Sequence, residues 1–139
     1  MRLWLSRLLI AAVFVWNIQC AVVFLVSPAP YAAGFELEGT TGEAMVRGMG
    51  VLFLMWNVPY AVALWHPVRF RVALAEALVM QSIGLIGESL ILATLPPANL
   101  LARTSIARFI GFDAAGLLLL LVAAWLTAAF CGMRTHRTS

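Results

Sequence analysis

Lysine is missing from this chain; its nine basic residues are all arginine. The absence removes the amine that a retinal pigment or an aldolase-type Schiff base needs. Histidine and cysteine are scarce, at two each. His66 follows an apolar segment and His136 lies in the C-terminal tail, so neither sits mid-membrane where paired imidazoles would hold a haem. Cys20 and Cys131 fall at different depths when successive segments alternate in direction. They are then tens of ångströms apart at a rise of about 1.5 Å per residue, beyond disulfide reach. No C-x-x-C, P-loop or G-x-S-x-G occurs, no histidine stands beside a plausible nucleophile, and no cluster has metal-ligand spacing. Neither an enzyme nor a cofactor is expected. Charged residues make up only 11% of the chain, and the arginines stand beside apolar segments instead of forming a basic run. Nucleic acid is not an expected partner.

What is plentiful is apolar surface, with 63% of the 139 residues hydrophobic. Four stretches, 3–26, 44–65, 72–95 and 106–131, are apolar over the roughly 20 residues that cross a bilayer. The sequence therefore predicts an all-α polytopic membrane protein, a four-transmembrane-helix bundle forming one domain over 1–139, with the lipid bilayer as its partner. In hydrocarbon the backbone satisfies its own hydrogen bonds and each charged side chain needs a partner or water. The first stretch reads as a retained helix, because its apolar run is too long for a signal peptide and no clean A-x-A site follows.

The connection 27–42 is rich in Pro, Gly and Ala, and Thr40 and Glu43 have capping-box spacing ahead of the second segment. Pro96-Pro97 stops the third segment, and the following connection, apolar at Leu100, Leu101 and Ile106, can form a short interfacial helix between the third and fourth segments. Alternating helices put Arg2, Arg7, Arg69, Arg71, Arg134 and Arg137 on one side and Arg47, Arg103 and Arg108 on the other. By the positive-inside rule both termini are cytoplasmic, with Trp4 and Trp65 at the cytoplasmic belt.

Each segment offers one polar stripe. On the third, Ala77, Gln81, Gly84 and Glu88 share a face at helical pitch; lipid would reject that face, so it turns inward, with Gly84 permitting close approach. The second carries Glu43, Gly50 and Asn57 at heptad spacing, with Pro59 inside the helix, where its ring removes a backbone donor. Asn17 marks the first stripe and Asp113 the fourth. Asn17, Asn57 and Gln81 are thus expected to face the bundle interior.

Depth sorts the charges into two layers. Arg47, Glu43, Glu88, Asp113 and Arg108 form the outer polar cluster, and Arg7 and Glu76 form a pair near the cytoplasmic end. Arg47 is expected to contact Glu88 or Asp113. A static ion-pair clasp is the preferred reading of the outer layer, since opposite charges stand together there. The competing reading is a proton or ion site, because low dielectric penalises the charged form of an acid.

The layout, with a Pro-rich outer loop leading into Arg47-Gly48-Met49-Gly50, resembles small four-helix bacterial membrane proteins of the DoxX-like kind. The resemblance implies a multi-pass protein of the bacterial inner (cytoplasmic) membrane and carries over no functional residue. The function expected from the sequence is an accessory or assembly component of the membrane, alone as a homo-oligomer or within a larger membrane complex. The alternative is a small proton- or ion-coupled carrier or channel using Glu88 and Asp113.

Overall fold

A computed structural model describes the backbone of residues 1–135 and the side chains to Phe130. The side chains of Cys131 and Arg134, and all of His136 and Arg137, lie outside the described residues. Five helices follow in order: α1 (Arg2–Val26), α2 (Ala29–Gly34), α3 (Gly39–Trp65), α4 (Arg71–Thr94) and α5 (Leu100–Thr135). Of these, α1, α3, α4 and α5 are long and apolar enough to cross a bilayer. The chain is a multi-pass membrane protein built as a four-helix bundle. Its large exposed side chains, among them Leu8, Val58, Ile83 and Trp125, are the lipid-facing surface such a bundle requires.

The short helix stands in the first connection, as α2, and not in the second. Pro28 leads into it at φ −70°, an angle that proline holds ready for a first turn. In the second connection no Gly or Pro separates Leu100 from Ile106, so the helix that opens there continues without a break as α5, 36 residues long. The expected capping box is also absent. Helix α3 opens at Gly39, whose φ of +63° is one that glycine adopts without strain; Thr40 lies inside the helix, and Glu43 binds Arg47.

Around the bundle, α1 packs on α3 and α5, and α4 packs on α5 and α3, leaving α1 and α4 diagonal. Two apolar cores fill it. Ile10, Val13, Ala63, Leu74, Ala77 and Leu120 form the one toward the N-terminal end. Phe24, Ala32 and Val46 form the one under α2, where ring contacts join Phe24, Phe53 and Phe109. At Gly50 a side chain would press on the Ala21 carbonyl at 3.0 Å, so the missing Cβ lets α3 lie close on α1.

Hydrogen bonds tie both ends. The Ser6 hydroxyl lies 2.8 Å from that of Thr127 and 2.9 Å from the Ala123 carbonyl, joining α1 to α5. At the α2 end the Glu36 carboxylate accepts from Asn99 Nδ2 and from the backbone N–H groups of Leu101 and Ala102, the orphan donors of the first turn of α5. Arg103 reaches from α5 to the last carbonyls of α4, donating to Leu92 at 3.1 Å and Leu95 at 2.7 Å. It does not stand free in an aqueous loop, as a connection residue would.

Candidate functional site: a polar layer between two apolar cores

Between the two cores each long helix contributes a polar side chain. Asn17 comes from α1, Asn57 and Tyr60 from α3, Gln81 and Glu88 from α4, and Asp113 from α5. Three of them are joined in sequence. Tyr60 Oη donates to Gln81 Oε1 at 2.6 Å, and Gln81 Nε2 donates to Asp113 Oδ1 at 2.9 Å. Asn17 stands against the Tyr60 hydroxyl. A relay thus runs from α3 through α4 to α5, with Gln81 only 5% exposed at its centre.

Two small residues admit this relay. A Cβ at Gly84 would collide with Asp113 Oδ2, and one at Gly116 would meet Gln81 Nε2 at 2.8 Å. The carboxylate of α5 therefore lies directly on the backbone of α4, and the amide of α4 lies on the backbone of α5. Glu88 stands one helical turn beyond Gly84 on the same face, and its Oε2 is buried with no hydrogen-bond partner. Asn57 Nδ2 donates to Phe53 O at 2.7 Å, leaving Asn57 Oδ1 buried and likewise without a partner.

Cavities flank the relay on both sides. One of about 230 Å³ lies between α1 and α5, where Asn17, Cys20, Arg108, Phe112 and Asp113 line it. Another of about 260 Å³ lies between α3 and α4, lined by Trp56, Asn57, Tyr60, Glu88 and Asp113. Asn17, Phe53, Gln81 and Asp113 border both. A third, about 330 Å³ and almost wholly apolar, continues past Glu88 and Trp56 toward Phe24, Phe35 and Phe109.

The outer charges do not assemble as the sequence suggests. Arg47 Nη2 lies 3.3 Å from Glu43 Oε2 on the same helix, half exposed, and reaches neither Glu88 nor Asp113. An i,i+4 neighbour at the helix end satisfies the guanidinium without desolvating it, which an interior pair would require. Arg108 is exposed and borders the cavity on the α1–α5 side. The expected pair of Arg7 and Glu76 is also replaced: Arg7 donates to the Leu64 carbonyl at 3.0 Å and lies over the Trp4 ring, while Glu76 is exposed. The structure does bring Asn17, Asn57 and Gln81 to the interior beside Glu88 and Asp113. Tyr60 and Gly116 were not singled out by the sequence. Each stands three residues from a polar stripe residue, Asn57 and Asp113, and that spacing is the signal that could have found them.

Comparison with protein-family models, curated proteins and solved structures finds no match for this chain. The DoxX-like resemblance thus rests on helix layout and on Arg47-Gly48-Met49-Gly50, of which Gly50 seats α1 and Arg47 serves its own helix.

Proposed function

We propose that this protein is a small proton- or cation-coupled carrier of the membrane in which Glu88 and Asp113 are the exchanging acids. The observation that supports this reading is that both acids border one cavity in the bundle interior while Arg47, expected to bind one of them, is held by Glu43. Two acids in low dielectric without a fixed cation call for mobile positive charge, a proton or another cation, and can exchange the one for the other. An intramembrane acid without a fixed counter-ion contributes nothing to packing that an apolar residue would not contribute better. The accessory or assembly role expected from the sequence is the second reading; exposed apolar surface does not favour it specifically, because lipid contact accounts for that surface. In this reading the chain is neither an enzyme nor a cofactor protein. Its membrane is the bacterial inner membrane with both termini cytoplasmic, supported by the six-to-three distribution of arginines between the two ends. A homo-oligomer would widen the polar path.

Vesicles reconstituted with the purified chain and a trapped pH-sensitive dye test the reading. An imposed cation gradient should produce a pH change in the parent that Glu88→Gln abolishes while melting at the parent temperature. No response in the parent to any imposed gradient, or an undiminished response in Glu88→Gln, would overturn it. Reporter fusions to the two termini and to the 28–42 connection test the orientation, and periplasmic activity from a terminal fusion would reverse it.

A further inference from the structure

The cavity between α3 and α4 has acceptors to spare. Asn57 is 2% exposed, and its amide orientation is set because Nδ2 is committed to the Phe53 carbonyl; the reverse orientation would set oxygen against oxygen. Asn57 Oδ1 is therefore turned away from its own helix backbone, buried and unpartnered, on the wall of a cavity that Glu88 also lines. Glu88 Oε2 is buried and unpartnered as well. A buried acceptor without a donor is costly, and two of them on residues that line one cavity are satisfied when the side chains turn to an occupant that brings donors. Beside Glu88 that occupant is favoured if it also carries positive charge.

The remaining walls say what else the occupant is. Phe53 and Trp56 present aromatic rings, and the aliphatic Ile83 and Ile91 complete the lining. A hard metal ion takes six or more oxygen ligands, whereas the Tyr60 and Gln81 oxygens and Asp113 Oδ1 in this lining are already engaged in the relay, and no group of three or more His, Cys, Asp or Glu that could hold a metal occurs among the described residues. Aromatic faces attract organic cations. Glu88, Trp56, Phe53 and Ile91 also border the apolar cavity of about 330 Å³, so a group held at Glu88 has room behind it for a hydrophobic body. Trp56, Ile83 and Ile91 are all exposed on the outside of the bundle, which opens the site sideways to the acyl chains from which such a molecule would arrive.

We propose that the α3–α4 cavity binds a hydrophobic organic ammonium, a primary or secondary amine in its protonated form, whose N–H groups donate to Glu88 Oε2 and Asn57 Oδ1 and whose apolar body lies against Trp56. The inference rests on the carrier reading and supplies the class of its cargo. The ammonium carries one positive charge into the layer, so its exchange for a proton leaves the interior charge unchanged.

Equilibrium binding of radiolabelled phenethylammonium to the full chain in detergent tests it without any need for transport. The parent should bind saturably, Glu88→Gln should weaken binding by about tenfold or more through loss of a charge-assisted bond, and Glu88→Asp, which keeps the charge, should recover part of it. Trp56→Leu should also weaken binding, with melting measured for each variant to exclude unfolding. Saturable binding should be competed by unlabelled amine and left intact by neutral phenethyl alcohol. Absence of saturable binding in the folded parent, equal binding by Glu88→Gln, equal competition by the alcohol, or displacement by sodium at matched ionic strength would each overturn the proposal. Cation-driven pH change in vesicles without amine binding would sink the cargo assignment alone, whereas binding without flux would sink the carrier reading alone.

Discussion

Asp113 owes its position to an atom that is not there. The space left by the missing side chain of Gly84 is taken by Asp113 Oδ2, and Gly84→Ala should push the carboxylate off Gln81. Overpacking of this kind costs about 1–3 kcal/mol, more than the roughly 1 kcal/mol that alanine gains over glycine in a helix. Gly87, also on α4, has open space where its Cβ would be, so Gly87→Ala should leave stability unchanged or raise it. Unfolding in mixed micelles distinguishes the two; equal stability of both variants would mean that α5 does not rest on Gly84. Glu36 supplies a pH dependence. The Asn99 amide, followed by the N–H groups of Ala102 and Leu101, holds its carboxyl below the usual value. A carboxyl lowered in the folded state stabilises fully above its ordinary value of 4.5, and the contribution is lost as pH falls through the lowered one. Glu36→Gln should therefore melt below the parent at neutral pH, and the gap should close on acidification; a gap independent of pH would remove the carboxylate from the account.

Among elements, the least obvious tie is the one from α5 to the end of α4. Arg103 donates to two carbonyls of the last turn of α4 and its junction, and hydrogen bonds from a charged donor contribute about 1.5–3 kcal/mol. The Arg47–Glu43 pair is half exposed and within one helix, worth about 0.3–0.5 kcal/mol. Arg103→Leu should thus lower stability in detergent several times more than Arg47→Leu, the reverse of the order that charge placement in the sequence suggests; chemical unfolding curves of the two variants decide it. The reversal shows where the sequence was legible. Hydropathy over about 20 residues reveals the four spans, because burial in lipid needs nothing but length and composition, and helical pitch puts Asn17, Asn57, Gln81 and Asp113 on inward stripes. Pairing was not legible, because Arg47 had a neighbour four residues away and distant candidates at once, and only packing chooses between them. Nor was α2, six residues long with proline at its start, too short for periodicity to register. Glu36 capping α5 joins residues more than sixty positions apart, a relation that no local pattern contains.

On the scale of the whole molecule, the ring of helices alternates apolar, polar and apolar layers along its axis, and the polar layer is crossed by every long helix. A shift of α3, α4 or α5 out of register would therefore break the relay from Tyr60 to Asp113. Gln81→Leu should remove both hydrogen bonds of that relay, leave Asp113 without its donor while Tyr60 keeps the Ala77 carbonyl, and destabilise by about 1–3 kcal/mol; guanidinium unfolding of parent and variant in the same micelle checks this, and an unchanged midpoint would mean that water replaces the amide without cost. The long helices are not of one length. Helices α1 and α4 have 25 and 24 residues and α5 has 36. At about 1.5 Å per residue α5 measures roughly 54 Å, against a hydrocarbon core of about 30 Å. Hydrophobic mismatch is consequently unequal within one bundle: α1 and α4, roughly 36–38 Å long, exceed the core by little more than one turn, whereas α5 exceeds it by roughly 24 Å. The Arg103 bonds join the longest helix to the shortest of the four spans, so bilayer thickness acts on this protein as a shear between α5 and α4.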